Sequence, residues 1–107
     1  MKPIISNENT DTILTKDITE RHLVVGKIGG RPCILSKGYS EEAEELTFFD
    51  LCSNFVTGNG IDYSSKENTI QKMVEKAIST GNKVAVFHQD NWKEALQWLI
   101  DKIGRAV

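Results

Sequence analysis

From His22 onward the apolar residues fall into short runs and stripes whose spacing predicts the elements. His22-Leu-Val-Val-Gly-Lys-Ile28 and Arg31-Pro-Cys-Ile-Leu-Ser-Lys37 are two strand-like runs separated by Gly29-Gly30. That pair predicts a two-residue hairpin turn, because both central positions take positive φ, which glycine adopts without a Cβ penalty. Pro32 has no amide to donate, so it is expected at a sheet edge or outside the paired register of its strand. A third strand is predicted over Leu46-Thr-Phe-Phe-Asp-Leu-Cys52. Leu46, Phe48, Asp50 and Cys52 share one of its faces, and Thr47, Phe49 and Leu51 share the other. Apolar residues on both faces predict cover on each side, with Phe55-Val56 extending the strand before Thr57-Gly-Asn-Gly60 turns the chain.

Two helical stripes follow. Ser64-Ser-Lys-Glu67 has the S-x-x-E spacing of a capping box, in which a serine hydroxyl and a glutamate carboxylate satisfy the free amides of a helix start. The predicted helix spans about 65–80, with Ile70, Met73, Val74, Ala77 and Ile78 along one side. Gly81 stops it in a left-handed conformation, and Lys83–His88 reads as a short strand. The last helix begins at Asp90 or Asn91 and carries Trp92, Ala95, Leu96, Leu99, Ile100 and Ile103 before Gly104 ends it. The first twenty residues are polar with two apolar islands, Ile4-Ile5 and Ile13-Leu14, and fit either an added edge strand or a loose segment. Gly38–Glu45 reads as an acidic connection in which Ser40 and the following glutamates close at most one helical turn. The resulting order is β-hairpin, β, α, β, α in one domain over 1–107. The expected fold class is α+β: a small antiparallel or mixed sheet with both amphipathic helices packed on one face. Only the unit from about 46 to 88 allows a right-handed crossover.

Composition limits the classes of function. With 107 residues, 39% hydrophobic and 26% charged, the chain is long and apolar enough to fold without disulfides or a structural metal. No run approaches the roughly 20 apolar residues of a membrane span, and Met1-Lys-Pro-Ile-Ile5 turns polar at Ser6 before a signal-peptide core develops. A cytoplasmic location is expected. Cys33 and Cys52 each lie in an apolar run, far in sequence from His22 and His88, so they read as buried thiols and not as metal ligands. No metal or cofactor is assigned. A net charge of −2 argues against generic nucleic-acid affinity, which depends on cations at phosphates. The acid excess is local: residues 1–50 carry nine acids against six bases, the remainder six against seven.

Among candidate functional residues, Trp98 stands out. At 100° per residue it lies about 130° from the centre of the stripe formed by Trp92, Leu96, Leu99 and Ile103, so it is expected to face solvent. Glu94, Asp101, Lys102 and Arg105 surround it on that face, and an aromatic amid mixed charge has the composition of a binding hot spot. The competing reading is that another segment folds over the ring. Glu41, Glu42, Glu44 and Glu45 form a solvated acidic stretch able to steer a basic partner. Cys52, His88 and Asp90 make a nucleophile, base and carboxylate only on paper, with no nucleophile elbow around Cys52, so no residue is assigned a catalytic role. Gly58, Asn59 and Gly60, with Ser64 and Ser65 at the helix start, could form a nest for a small ligand or nucleotide, but phosphate-loop spacings are lacking and a plain turn is the simpler account.

The function expected from these features is a small non-enzymatic binding protein acting through a surface contact. Its type would be a compact inhibitor such as an immunity protein, an antitoxin or a phage-encoded blocker of a host or defence factor. Trp98, Arg105 and Lys102 would anchor the contact, and the four glutamates would attract a basic protein partner. The alternatives are a ligand-binding domain using the glycine turn, and a homo-oligomer that covers Trp98 with a second copy.

Overall fold

The computed structural model describes residues 3–42, 44–58, 60–63 and 67–104, the side chains of 54–56, 62, 63 and 67 aside. Six strands, β1 (Ile5–Ser6), β2 (His22–Ile28), β3 (Arg31–Ser40), β4 (Glu45–Asp50), β5 (Ile61–Tyr63) and β6 (Val84–His88), form one sheet in the order β1-β6-β2-β3-β4-β5. Every neighbouring pair is antiparallel. Helices α1 (Cys52–Thr57), α2 (Glu67–Ser79) and α3 (Trp92–Lys102) complete an α+β architecture, with single 3-10 turns over Thr15–Asp17 and Gln89–Asn91. Four antiparallel pairings separate β5 from β6, so these two strands point the same way and α2 carries the chain back across β4, β3 and β2.

The helices do not share a face. Val24, Ile28, Cys33, Leu35, Phe48, Val84 and Val86 point to one side, where they meet Ile70, Val74 and Ala77 of α2 and Ile13 and Ile18 of the N-terminal segment. Leu23, Val25, Ile34, Ala85 and Phe87 point to the other, against Ala95, Trp98 and Leu99 of α3 and Cys52 of α1. The expectation of one-sided helices is corrected by the strands themselves. Leu-Val-Val, Cys-Ile-Leu and Val-Ala-Val-Phe are continuous apolar runs, and side chains alternate across a strand, so both faces of the central sheet are apolar. A single helical layer would leave Leu23, Val25, Ile34 and Phe87 in water at roughly 1.5–3 kcal/mol each.

The Gly29-Gly30 hairpin forms as expected, with φ of 67° and 85° and a register running from Leu23 opposite Ser36 to Ile28 opposite Arg31. Pro32 sits opposite Lys27 inside that register, but β4 reaches only to Leu35, so β3 is locally an edge where the missing amide would otherwise be needed. Gly38, Tyr39 and Ser40 are not a connection: β3 continues to Ser40 and pairs with β4 from Glu45, leaving a four-residue turn at 41–44 with Glu44 at φ 51°. The described residues of that turn are not helical.

The predicted third strand ends at Asp50, and Cys52 together with the segment 55–56 is helical. The cause is local. The Asp50 carboxylate accepts the Cys52 amide at 3.0 Å, capping α1 and turning the chain off the sheet. Strand β5, paired with β4 from Phe48 to Asp50, carried no sequence signal beyond a lone Ile61-Asp-Tyr after the glycine turn.

Helix α2 buries Ile70, Val74 and Ala77 as its stripe predicts. It ends where Gly81 adopts φ 85° and donates to Ile78, while the Asn82 amide reaches Ala77. Its predicted capping serines lie outside the described residues. The N-terminal segment from residue 3 onward is held by side-chain amides. Asn7 donates to the Asn82 carbonyl at 2.7 Å and accepts the Val84 amide at 2.9 Å, prolonging the pairing of β1 with β6. Gln71 accepts the amide and hydroxyl of Thr15 and donates to the Ile13 carbonyl, fastening the 3-10 turn to α2.

Asp50 is fully buried and pairs with the Arg31 guanidinium, itself about one-third exposed. Removing one member of such a pair leaves the other ion desolvated. Asp50→Ala is therefore expected to cost about 3–5 kcal/mol, since it abolishes the ion pair and the α1 cap together. Arg31→Ala is expected to cost at least as much, because it strands the fully buried Asp50 carboxylate, whereas the Arg31 left by Asp50→Ala still reaches water. Urea unfolding of both variants, read as a change in midpoint at constant slope, checks this order.

Candidate functional site

The first candidate, Trp98, does not face solvent. It is 8% exposed and packs edge to face on Phe87 with ring centroids 6.2 Å apart, whereas Trp92 is 36% exposed. The face of α3 turned to the sheet is centred near Ala95, about 70° round the helix from the predicted stripe centre. Bulk misled the reading. Ala95, the smallest residue on the face, allows closest approach of helix to sheet, with Trp98 and Leu99 buried on either side of it. Trp92 stands on the first turn of α3, at its end, with the Lys93 ammonium 5.5 Å from its ring centroid. Lys102 lies 3.7 Å from Glu8, a carboxylate that also sits 3.4 Å from Lys83. Arg105 lies outside the described residues.

The acidic candidates fare differently. Glu41, Glu42 and Glu44 are exposed on the β3–β4 turn and Glu45 is half-buried at the start of β4. On the adjoining rungs the register pairs Tyr39 with Leu46, and these two are 61% and 52% exposed. They lie beyond the end of β2, which pairs with β3 only as far as Ser36. Lys37, on the same face as Tyr39, is buried with its ammonium 5.8 Å from the centroid of the Phe48 ring. Ile61, opposite Asp50 and therefore on the face shared by Leu46 and Phe48, is 45% exposed. Leu46 and Ile61 are thus two exposed apolar residues about 13 Å apart at strand rise on that face, with the buried Phe48 between them. The sequence contained the exposed pair Tyr39 and Leu46, but their exposure depends on β3 outrunning β2, which pattern reading did not foresee.

The paper triad is not assembled. Cys52 follows β4 while His88 ends β6, with β3 and β2 between them, a separation of about 14 Å at the usual strand spacing. His88 and Asp90 do meet: the imidazole Nδ1 accepts the Asp90 amide at 3.2 Å and lies 3.4 Å from its carboxylate. His22 stands directly opposite His88, and its Nδ1 accepts the Thr19 amide at 3.1 Å. Both rings thereby act as turn caps. Gly58 and Gly60 of the alternative ligand site are exposed, and Asn59, Ser64 and Ser65 lie outside the described residues. Among the described residues no three metal-ligating side chains converge, and no helix is long and apolar enough to cross a membrane.

Both thiols are buried. Desolvation, partly opposed by a backbone hydrogen bond at Ile28 and reinforced by the Asp50 charge, pushes the Cys33 thiol from 9.0 up to about 12. Burial and the same carboxylate raise Cys52. A raised thiol favours the neutral folded form, so its contribution to stability is complete below pH 9 and declines as pH rises toward 12. Because the thiolate is the nucleophile, both cysteines are expected to resist a disulfide reagent in native protein at pH 8 and to react within the dead time once denatured. Fast labelling of either native thiol would show that burial does not govern their reactivity.

No protein-family model, curated protein or solved structure matches this chain, so its chemistry is read from its own surface.

Proposed function

We propose that the protein is a small non-enzymatic binding protein of inhibitor type whose contact surface is the acidic end of the β3–β4 hairpin. The observation that carries this reading is the exposed cross-strand pair Tyr39 and Leu46 set among Glu41, Glu42, Glu44 and Glu45. An aromatic with a neighbouring aliphatic residue supplies the central desolvated contact of an interface, and a charged rim supplies orientation and speed of encounter. The partner of matching chemistry is a basic protein surface with an apolar centre. Because Trp98 is buried, the anchoring role moves from α3 to Tyr39.

The hairpin suits this task mechanically. Its far end extends past β2, so a partner can approach Tyr39 and Leu46 without displacing either helix. Its base is held by the buried Lys37, Phe48 and Asp50, which limits the ordering entropy lost on association.

Affinity capture from the native host, repeated with Tyr39→Ala and with Glu41 and Glu42 both replaced by lysine, tests the proposal. Tyr39→Ala is expected to weaken the specific complex by about 2 kcal/mol, or roughly thirtyfold. The charge reversal is expected to act chiefly on the association rate and to lose its effect at high salt. A captured partner whose affinity responds to neither change would overturn the assignment. Mass measurement in dilute solution separates a foreign partner from a second copy of the chain.

A further inference from the structure

The far end of β3 has a neighbour on one side only. Along an antiparallel strand, successive residues direct their main-chain N–H and C=O groups to opposite sides, so alternate residues bond to each neighbour. The Leu51 amide donates to the Ile34 carbonyl at 2.6 Å, which fixes Ile34 as a residue that faces β4. The pairing from Leu35 opposite Asp50 to Ser40 opposite Glu45 then runs without a bulge. Ser36, Gly38 and Ser40 therefore direct their main chain to β4, while Leu35, Lys37 and Tyr39 present theirs to the side on which β2 lies.

Strand β2 does not reach Tyr39. Its pairing with β3 ends at Leu23 opposite Ser36, and in that register the residue facing Tyr39 would be Glu20. Glu20 instead lies within a turn closed by the His22 amide on the Thr19 carbonyl at 3.1 Å, and the Arg21 carbonyl accepts the amide of Gln89, just past β6. Among the described residues nothing pairs with the Tyr39 N–H or C=O, and Tyr39 is exposed. An open strand edge of this kind accepts another extended segment, which satisfies both main-chain groups of one residue at once. The gap lies in line with β2, so an incoming segment continues the β2 row antiparallel to β3.

The surroundings of the gap define the occupant. In antiparallel pairing the residue facing Tyr39 places its side chain on the same face of the sheet, beside the Tyr39 ring. Positions N-terminal to it run alongside the turn that carries Glu41, Glu42 and Glu44. An apolar residue preceded by arginine or lysine matches that order of aromatic and negative charge. We infer that the partner engages the hairpin as an extended basic segment paired antiparallel with β3 at Tyr39, one of its residues donating to the Tyr39 carbonyl and accepting the Tyr39 amide. The inference rests on the hairpin reading above and adds to it the conformation of the partner and its main-chain contacts.

Nitrogen–proton correlation spectra and amide hydrogen exchange of the full chain, titrated with acetyl-Arg-Val-Arg-Val-Arg-amide, test the pairing. In the free chain the Tyr39 amide is expected to exchange faster than those of Gly38 and Ser40, which face β4. With the peptide its cross-peak is expected to move saturably and its exchange to slow about tenfold. The same peptide N-methylated at both valines keeps its charge and side chains but lacks the pairing amides, and is expected to bind about tenfold more weakly. Tyr39→Ala removes the ring and keeps the N–H, whereas Tyr39→Pro removes both. Strand β3 already holds Pro32 where no neighbour needs its amide, so the proline variant is expected to keep the rest of its spectrum and to bind more weakly than the alanine variant. A Tyr39 amide as protected in the free chain as its neighbours, no response to the peptide at millimolar concentration, or equal binding of the N-methylated peptide would each overturn the pairing. If Tyr39→Ala weakens binding and neither N-methylation nor Tyr39→Pro weakens it further, the pairing fails and the hairpin reading stands. If the peptide moves amides elsewhere and none in residues 37–46, both fail.

Discussion

The arrangement depends on one constraint: the central strands are apolar on both faces and must be covered twice. Val24 and Val25 are adjacent, yet one lies under α2 and the other under α3. The same holds for Ile34 and Leu35, and for Ala85 and Val86. Each helix is therefore needed to keep half of every central strand out of water. The strands themselves lie close. A Cβ at Gly26 would sit 2.6 Å from the Lys83 carbonyl oxygen, so the approach of β2 to β6 leaves no room for a side chain there. Hydrophobic burial sets the layering, and this tight central seam sets the level at which the two layers meet.

Polar groups then determine where the chain leaves the layers. Asp50 is buried among apolar side chains and is tolerated because Arg31 and the Cys52 amide satisfy its two oxygens. The result is a change of direction: without a carboxylate at that position, Leu51 and Cys52 would read as further strand. Gln71 and Asn7 do comparable work for a segment whose own apolar content is small. Each uses the two ends of a side-chain amide to pair with backbone on a distant part of the chain. An N-terminal stretch with only a few buried aliphatic residues is thereby ordered by interactions outside its own sequence.

Much of the fold was legible from pattern: the Gly29-Gly30 turn, the stripe and glycine stop of α2, the strand at Val84–His88 and the extent of α3. These are local features, decided within a few residues by turn chemistry and periodicity. The features that escaped are those in which distant elements decide. The extension of β3 to Ser40 depends on β4 continuing beside it, and the rotation of α3 depends on a small alanine meeting the sheet. The candidate site shows the same division. The glutamates were readable as a solvated acidic stretch, but the role of Tyr39 beside them required knowing that β2 stops short. Trp98 was placed by averaging over bulky residues, when the helix had in fact settled on its smallest one.

The two indoles of α3 stand in contrasting surroundings, one enclosed on Phe87 and one at the solvent-facing end beside Lys93. Indole emission shifts toward the red as its surroundings become more polar and mobile, so a single helix carries two reporters of different colour. Exciting this protein near 295 nm should therefore give a composite band. Its blue component follows the integrity of the α3–sheet interface, and its red component follows events at the start of the helix. The molecule thus comes with its own optical gauge, one that needs no label to distinguish loosening of the interior from a change at its surface.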